Sequence, residues 1–330
     1  MSSSVEKGSD TQSLLTGQNM VYAGIAWSVL SLLFFLLFSI TAPGEENPFW
    51  YMIGTYILET LPFLVAAVLC YRNWRSPQIA SGRNVWLAIG LGMIAWFIAN
   101  WVFGWWELYW GLEPDVSPAD LFYLAFYVCL SWGMVLAILP RRLNLERWQW
   151  LTVAAIAAVG ITLAVLLLLA TPDTSTEANV AAPSPTTEQA ASEAKSSAAT
   201  TAAVPDESNN RQPPEWVTSI QTALEPLSRP LNFFYIVGDV FLLIIASTLL
   251  LAFWGGRFVQ SWRMIAAATF SLYIADMWSK YAEAAKVRYE SGSLLEVFFV
   301  FSAVLFTIGA ALEFDVSKST RRGSRRRAKE

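Results

Sequence analysis

Three acidic side chains stand inside long apolar stretches of this sequence. Glu59, Asp239 and Asp276 each have mostly apolar neighbours on both sides. An ionisable group deep in an apolar segment is costly, and it normally faces a bundle interior or a wet cavity. Carboxylates in that position are typical of proton pathways, cation sites and polar ligand sites. These three acids are therefore the first candidates for a functional site.

Further polar side chains share helical faces with these acids. Asp276, Lys280 and Glu283 recur at the spacing of one helical face, where a lysine can pair with either acid. Asn100 and Glu107 repeat that spacing earlier in the chain without a lysine. Such groups can tie neighbouring helices together, or they can line a polar cavity that opens outward. The candidate cavity residues are Glu59, Asn100, Glu107, Asp239, Asp276, Lys280 and Glu283.

Two serine–acid pairs precede apolar segments. Ser117 with Asp120, and Ser293 with Glu296, have the spacing of a capping box, and Pro118 suits the first position of a helix. We predict that both pairs cap helices, with each carboxylate at the positive end of a helix dipole. Asp120 is in addition a candidate ligand-binding residue.

The chemistry that the sequence lacks is also informative. It has no histidine, which is the commonest metal ligand and the commonest general base near neutral pH. Cys70 and Cys129 lie inside apolar segments, so we expect no disulfide framework. There is no GxSxG, Walker, HExxH or CxxC motif. We expect a protein that is not an enzyme and that holds neither a metal nor a cofactor.

The composition points to lipid as the solvent for this chain. Hydrophobic residues make up 55% of it and charged residues only 15%, against about 25% charged in soluble domains. A membrane-spanning helix needs roughly 20 apolar residues. The sequence therefore predicts an all-α polytopic membrane protein with eight transmembrane helices. The predicted spans are Met20–Ala42, Phe49–Tyr71, Val85–Trp106, Ala119–Leu139, Trp150–Ala170, Leu231–Trp254, Trp262–Ala282 and Leu294–Leu312.

Basic residues predict the orientation in the membrane. They concentrate in alternate loops, at positions 72–83, 141–147 and 257–263, and in the tail after residue 313. Lys and Arg mark the cytoplasmic side, so we predict cytoplasmic termini in a bacterial inner (plasma) membrane. Lys286 and Arg288 dissent, in a loop that we predict to be external. The arginine-rich tail suits anionic lipid head groups or a simple orientation signal. We expect no nucleic acid as a partner, because no folded binding module accompanies these charges.

A low-complexity segment divides the chain. Residues 171–214 are rich in Ala, Thr, Ser, Pro and Glu, which predicts a disordered external linker. Residues 215–228 place Trp216, Ile220 and Leu224 on one face, which predicts a short helix on the outer membrane surface. The remaining units are a cytoplasmic tail at 1–19, a membrane unit at 20–170, a second membrane unit at 229–313 and a basic cytoplasmic tail at 314–330.

The two membrane units resemble one another. A shift of 176 residues brings Trp86 onto Trp262, Asn100 onto Asp276 and Glu107 onto Glu283 without a gap. Equivalent spans then run in the same direction, so the sequence predicts two parallel four-helix repeats. Such repeats are related by an axis along the membrane normal. If that axis matters for function, the site should lie near it.

The segment from Trp106 to Tyr127 resembles a known family. It is similar to the multi-helix membrane region that precedes GGDEF diguanylate cyclase or histidine kinase domains in bacterial signalling proteins. The likeness is carried by Gly111, Pro114, Ser117, Pro118, Ala119, Asp120, Tyr123, Leu124 and Tyr127. The resemblance implies a membrane sensor role in signal transduction. Because no such output domain follows here, we expect the region to act on its own.

Three functions agree with these observations. The first is a non-enzymatic, sensor-like membrane module that binds a small ligand or a lipid from the outer side. The second is a cation- or proton-coupled transporter that uses an acidic cavity between the repeats. The third is a membrane scaffold that binds another membrane protein. We also expect Asp239 and Asp276 to approach one another, because a short loop joins the spans that carry them.

Overall fold

Every regular element in the described part of the chain is a helix. The structure is a computed structural model that describes residues 16–40, 47–112, 116–139, 146–170, 213–253, 259–284 and 292–327. Most of the predicted linker at 171–214 lies outside these ranges, as do most of the predicted tail at 1–19 and the loop that carries Lys286 and Arg288. The side chains after residue 319 lie outside the description as well.

Nine α-helices follow one another in the described ranges. They are α1 (Gly17–Phe38), α2 (Phe49–Arg75), α3 (Arg83–Trp110), α4 (Asp120–Ile138), α5 (Arg147–Ala170), α6 (Glu215–Leu224), α7 (Ser228–Ala252), α8 (Val259–Ala284) and α9 (Val297–Arg327). Two short 3₁₀ helices, Glu225–Leu227 and Leu294–Glu296, lead into α7 and α9. Helix α6 covers most of the segment that we predict to lie on the membrane surface, and Val217 is its fully buried residue.

Seven stretches of helix in the described residues are long and apolar enough to cross a membrane, which makes this a multi-pass membrane protein. Six of them are α1 to α5 and α9, and the seventh contains α6 and α7. The remaining predicted span corresponds to α8, a helix of 26 residues. It is less apolar than the seven stretches and is not among them. Arg263, Asp276 and Lys280 lower its hydropathy.

Six helices pack side by side into a closed ring. Helix α2 packs on α3, α3 on α4, α4 on α7, α7 on α8, α8 on α9, and α9 returns to α2. We refer to α2, α3, α4, α7, α8 and α9 as the six-helix ring. Helix α1 packs outside it, mainly on α9, and α5 packs outside it on α7 and α8.

The ring has two different ends. We name as the upper end the one at which α2, α4, α7 and α9 begin and α3 and α8 end. Towards the lower end, Trp86 of α3 packs on Trp262 of α8, with ring centroids 6.2 Å apart, and Phe253 stacks on Trp262 at 4.8 Å. Both tryptophans are fully buried. Lipid is as apolar as these side chains, so their burial gains little from exclusion of water. The ring is stabilised here by close packing instead.

Helix α1 is attached to the ring through a proline in α2. Pro62 has no N–H, so the carbonyl of Leu58 one turn earlier has no helical donor there. The indole Nε1 of Trp27 in α1 donates to that carbonyl oxygen at 3.0 Å. A buried carbonyl must find a donor where no water is available. The proline therefore creates the acceptor that holds α1 against α2.

Equivalent glycines occupy equivalent contacts in the two halves. A Cβ at Gly133 of α4 would lie 2.8 Å from Ile89 and 3.2 Å from the Val85 carbonyl oxygen. A Cβ at Gly309 of α9 would lie 2.7 Å from Ile265 and 3.1 Å from the Ser261 carbonyl oxygen. Each residue of the second contact follows its counterpart in the first by 176 positions. The α3–α4 and α8–α9 interfaces thus share one mode of close packing.

Candidate functional site: a polar cavity inside the ring

A polar cavity of about 260 Å³ lies inside the six-helix ring, towards the upper end. Each of α2, α3, α4, α7 and α8 contributes side chains to its wall, and the sixth contribution comes from α9 with the 3₁₀ turn before it. The aromatic side chains of Trp96, Phe103 and Phe299 form part of the same wall. A molecule bound here touches every helix of the ring.

The structure brings most of the predicted site residues to this cavity. Those that line it are Glu59, Asn100, Asp120, Asp239, Asp276 and Lys280. Glu107 is buried beside it and accepts a hydrogen bond from the hydroxyl of Tyr56, which lines the wall. Glu283 belongs to α8, but its side chain lies outside the described part of the structure.

On one side of the cavity, a chain of hydrogen bonds holds Glu59. Its Oε1 accepts from Asn100 Nδ2 at 2.8 Å and from Trp96 Nε1 at 3.3 Å. Asn100 is 3% exposed, and its Oδ1 accepts from the Tyr123 hydroxyl at 2.7 Å. Helices α2, α3 and α4 are joined through this network. Every donor to Glu59 among these bonds is neutral, so the carboxylate is oriented without being neutralised.

Across the cavity, Asp239 and Asp276 approach one another, as the sequence predicts. The Tyr127 hydroxyl oxygen lies 2.6 Å from Asp239 Oδ1 and 2.9 Å from Asp276 Oδ2. Asp239 is 2% exposed, and its other oxygen, Oδ2, has no hydrogen-bond donor among the described residues. Lys280, one turn from Asp276, interacts electrostatically with both acids. Its Nζ also lies 6.0 Å from the centre of the Tyr235 ring.

Asp120 both binds the turn before α4 and faces the cavity. Its Oδ2 accepts from the Ser117 backbone N–H at 2.7 Å, while the Ser117 hydroxyl accepts from the Ala119 N–H at 3.2 Å. This resembles the reciprocal arrangement of a capping box, but it lies in the turn before α4, whose N-cap residue Ala119 has no side-chain cap. The other carboxylate oxygen, Oδ1, accepts from the Tyr235 hydroxyl of α7 at 2.6 Å.

The second predicted cap is wrong in its details. Glu296 reaches back to the N–H of Gly292 at 2.7 Å instead of that of Ser293, and the Ser293 side chain makes no capping hydrogen bond. Gly292 has φ of +94°, a conformation that suits glycine. The turn before α9 therefore presents the Gly292 N–H to the carboxylate. Glu296 also lines the cavity, which its role as a cap does not predict.

Four tyrosines of the site were not among the predicted residues. Tyr56, Tyr123, Tyr127 and Tyr235 line the cavity, and each donates its hydroxyl hydrogen to a polar residue of the site. Two of them could have been found, since Tyr123 and Tyr127 share a helical face with Asp120 at i+3 and i+7. For Tyr56 and Tyr235 no comparable signal is visible in the sequence.

Two glycines make room for these tyrosines. A Cβ at Gly104 of α3 would lie 3.0 Å from the ring of Tyr56, and one at Gly238 of α7 would lie 2.9 Å from the ring of Tyr127. Both rings therefore lie directly on the backbone of a neighbouring helix. This close approach lets the Tyr127 hydroxyl reach Asp239, the residue that follows Gly238.

A larger cavity of about 650 Å³ has different chemistry. It lies between α1, α8 and α9 and is lined mainly by apolar side chains such as Ile25, Phe298 and Ile308. Ser271 also lines it, and it contains none of the acids of the central cavity. In a bilayer, a groove of this kind faces acyl chains. The smaller polar cavity is the better candidate for specific recognition, because polar groups fix the orientation of a ligand.

The chain was compared with protein-family models, with curated proteins and with solved structures, and none of them matches it. Among the described residues, no group of three or more Asp, Glu, Cys or His side chains has the geometry of a metal site. The function must therefore be argued from the central cavity itself.

Proposed function

We propose that this protein is a non-enzymatic, multi-pass membrane module that binds a small ligand from the outer side and acts as a sensor. One observation carries the proposal, namely that all six helices of the ring contribute to one polar cavity. A ligand at that position contacts both halves of the chain. If the ring has two arrangements of its helices and the ligand binds one of them more tightly, binding shifts the whole ring towards that arrangement.

The positions of the basic residues support an outward-facing cavity. Arg72 and Arg75 end α2, Arg83 begins α3, and Arg263 lies in the first turns of α8. All four belong to the lower end of the ring, and the cavity lies towards the upper end. Since Lys and Arg mark the cytoplasmic side, the upper end is external. The membrane is then the plasma membrane, with α8 as the eighth span.

The matched contacts of the two halves support a repeat. Gly133 with Ile89, and Gly309 with Ile265, make the same close approach. Trp86 and Trp262, which are equivalent under the same shift, touch one another. Contact between equivalent residues is typical of a twofold axis. The pseudo-twofold axis therefore passes near this tryptophan pair, with the cavity above it.

The resemblance of residues 106–127 to the membrane regions of bacterial signalling proteins also supports a sensor role. Asp120, Tyr123 and Tyr127 from that segment all line the cavity. The segment that carries the likeness is therefore the one that contributes to the candidate site.

A cysteine accessibility experiment tests this function. Ser279, which lines the cavity, is replaced by Cys in a chain whose own Cys70 and Cys129 are changed to Ala. In intact cells, a membrane-impermeant thiol reagent added outside should react at Ser279→Cys. The matched control is Ser247→Cys, because Ser247 is 1% exposed in the lower half of α7 and should not react. Lack of reaction at Ser279→Cys from outside would contradict an outward-opening binding cavity.

The second candidate function is a cation- or proton-coupled transporter. It is favoured by a buried polar cluster at the lower end, where the Ser81 hydroxyl donates to Glu313 at 2.6 Å and accepts from Trp86 Nε1 at 2.8 Å. The Trp86–Trp262 pair then separates two polar regions, as a gate does. Reaction of Ser279→Cys from the cytoplasmic side as well, in inverted vesicles, would favour transport over sensing.

A further inference from the structure

Carboxylates outnumber cations in the wall of the central cavity. Among the described residues that line it, the carboxylates are Glu59, Asp120, Asp239, Asp276 and Glu296, and the cation is Lys280. The tyrosine hydroxyls that contact Asp120, Asp239 and Asp276 are neutral donors, and so are the groups of Asn100 and Trp96 that donate to Glu59. Carboxylates enclosed within a membrane are costly unless a positive group accompanies them. The cavity is therefore complementary to a cation.

The pair formed by Asp239 and Asp276 shares one tyrosine donor. The Tyr127 hydroxyl oxygen lies within hydrogen-bond distance of both acids, yet a hydroxyl carries a single hydrogen. Full donation to one carboxylate leaves the other without that bond. In addition, Asp239 Oδ2 is buried and has no donor in the described part of the chain. A cationic ligand with an N–H group would donate to Asp239 Oδ2 and balance the charge of the pair, whereas a quaternary ammonium ion would balance the charge alone.

Aromatic side chains form much of the rest of the wall. The wall contains the uncharged aromatic rings of Trp96, Phe103 and Phe299 and, in addition, the rings of four tyrosines. Aromatic faces attract ammonium groups, and cages of such rings are a known means of recognising them. The lysine of the cavity already lies at such a distance, with Lys280 Nζ 6.0 Å from the Tyr235 ring centre.

The cavity is much larger than a bare metal ion, so such an ion would not fill it. At about 260 Å³ it is slightly smaller than the sites of drug-sized ligands. The described residues also offer no metal-binding group of three or more ligands. We propose that the cavity binds a small organic ammonium ion, with its charged nitrogen beside Asp239 and Asp276 and its carbon substituents against Trp96 and Phe299. This inference rests on the proposed ligand-binding function.

Lys280 then acts as a built-in competitor for the same acids. It interacts electrostatically with Asp239 and with Asp276 in the structure without ligand. An incoming ammonium group must share or displace this interaction. The Lys280→Gln change should therefore strengthen binding of an ammonium ion, whereas removal of an acid should weaken it.

The test uses the purified full-length chain in nanodiscs and three probes, namely tetramethylammonium, choline and butylammonium. Binding is measured by calorimetry and by quenching of tryptophan fluorescence. At least one probe should bind saturably, and for choline the matched control is 3,3-dimethylbutan-1-ol, its uncharged carbon isostere. We expect the isostere to bind at least tenfold more weakly than choline if choline is the probe that binds.

Three variants are then compared with the natural protein, with whichever probe binds. Asp239→Asn should lower the affinity for that probe at least tenfold, and Lys280→Gln should raise it severalfold. Glu225→Gln, outside the cavity, should leave it unchanged.

The outcomes separate this inference from the proposed function. If Asp239→Asn does not fold, the comparison of choline with its isostere and the effect of Lys280→Gln still decide the matter. Equal binding of choline and its isostere, or no binding of any ammonium probe, overturns the ligand class. In that case, labelling of Ser279→Cys from outside still supports an outward-opening cavity for another ligand. Loss of that labelling overturns the proposed function instead.

Discussion

At the scale of single residues, the site depends on tyrosine hydroxyls that hold carboxylates in place. The Tyr127 hydroxyl lies between two acids, and Tyr235 donates to Asp120, which also accepts from the Ser117 N–H in the turn before α4. Water cannot easily replace these donors in an enclosed part of a membrane protein. The tyrosines therefore contribute to stability as well as to the shape of the cavity.

The Tyr127→Phe change removes the donor from Asp239 and Asp276 and preserves nearly all of the ring packing. Leaving a buried acceptor unsatisfied costs about 1–3 kcal/mol, so we expect the free energy of unfolding in detergent micelles to fall by that amount. Tyr71→Phe is the control, because Tyr71 is 57% exposed on α2. A Tyr127→Phe protein as stable as the control would show that these hydrogen bonds contribute nothing to folding.

At the scale of helices, the position of each helix is fixed by hydrogen bonds from its side chains to backbone carbonyl groups of a neighbouring helix. Asn73 of α2 donates to the Ala310 carbonyl oxygen of α9 at 2.8 Å, and Ser261 of α8 donates to that of Gly309 at 2.9 Å. Trp27 reaches the carbonyl left without a donor by Pro62. Such polar contacts between helices are a main source of specificity when both surfaces are apolar.

A double-mutant cycle on Trp27 and Pro62 tests how α1 is held. Trp27→Phe should destabilise the protein more in the natural background than in Pro62→Ala, where the new N–H of residue 62 can donate to Leu58. The coupling free energy should be about 0.5–1.5 kcal/mol, as for one hydrogen bond. Thermal unfolding of all four proteins in the same detergent measures it. Strict additivity would mean that the Leu58 carbonyl is satisfied without Trp27.

At the scale of the whole molecule, six helices close into one ring, and α1 and α5 pack outside it in different ways. Helix α1 packs mainly on α9, whereas α5 packs on α7 and α8. The six ring helices carry the matched contacts at Gly133 and Gly309. The matched contacts thus lie within the ring, and the outer helices differ in their attachment.

If the halves are true repeats, equivalent substitutions should have equivalent costs. Gly133→Ala and Gly309→Ala each force a Cβ to within 2.8 Å of an isoleucine, so both should destabilise the protein. Overpacking of this kind costs about 1–3 kcal/mol. The control is Gly92→Ala, whose Cβ would meet its neighbours at 3.4 Å or more and whose counterpart under the same shift is Ala268. Thermal unfolding should show two similar losses and a nearly unchanged control, and unequal losses at the two glycines would contradict equivalent packing.

The sequence by itself determined the class of protein and the identity of most charged groups in the cavity. Helix length and apolar character are local properties, so the spans can be read directly from composition. Glu59, Asp239 and Asp276 stand out because an ionisable group inside an apolar helix is rare and costly. The sequence also predicts a helix at α8, although its polar cavity-facing residues reduce its apolar character below that of the seven stretches that are apolar enough to cross a membrane.

Only the tertiary structure decided which helices are neighbours and which side chains meet. Tyr56 and Tyr235 lie far apart in the chain and carry no local mark of a shared cavity. The pairing of Glu296 with Gly292 depends on the backbone of one turn, which the Ser293–Glu296 spacing does not encode. Apolar helix surfaces resemble one another, so their order in the ring follows from close packing at glycines and from single hydrogen bonds. Some of those contacts, such as the hydrogen bonds from Asn73 to Ala310 and from Tyr51 to Gly292, join residues 237 and 241 positions apart, and no pattern along the sequence specifies them.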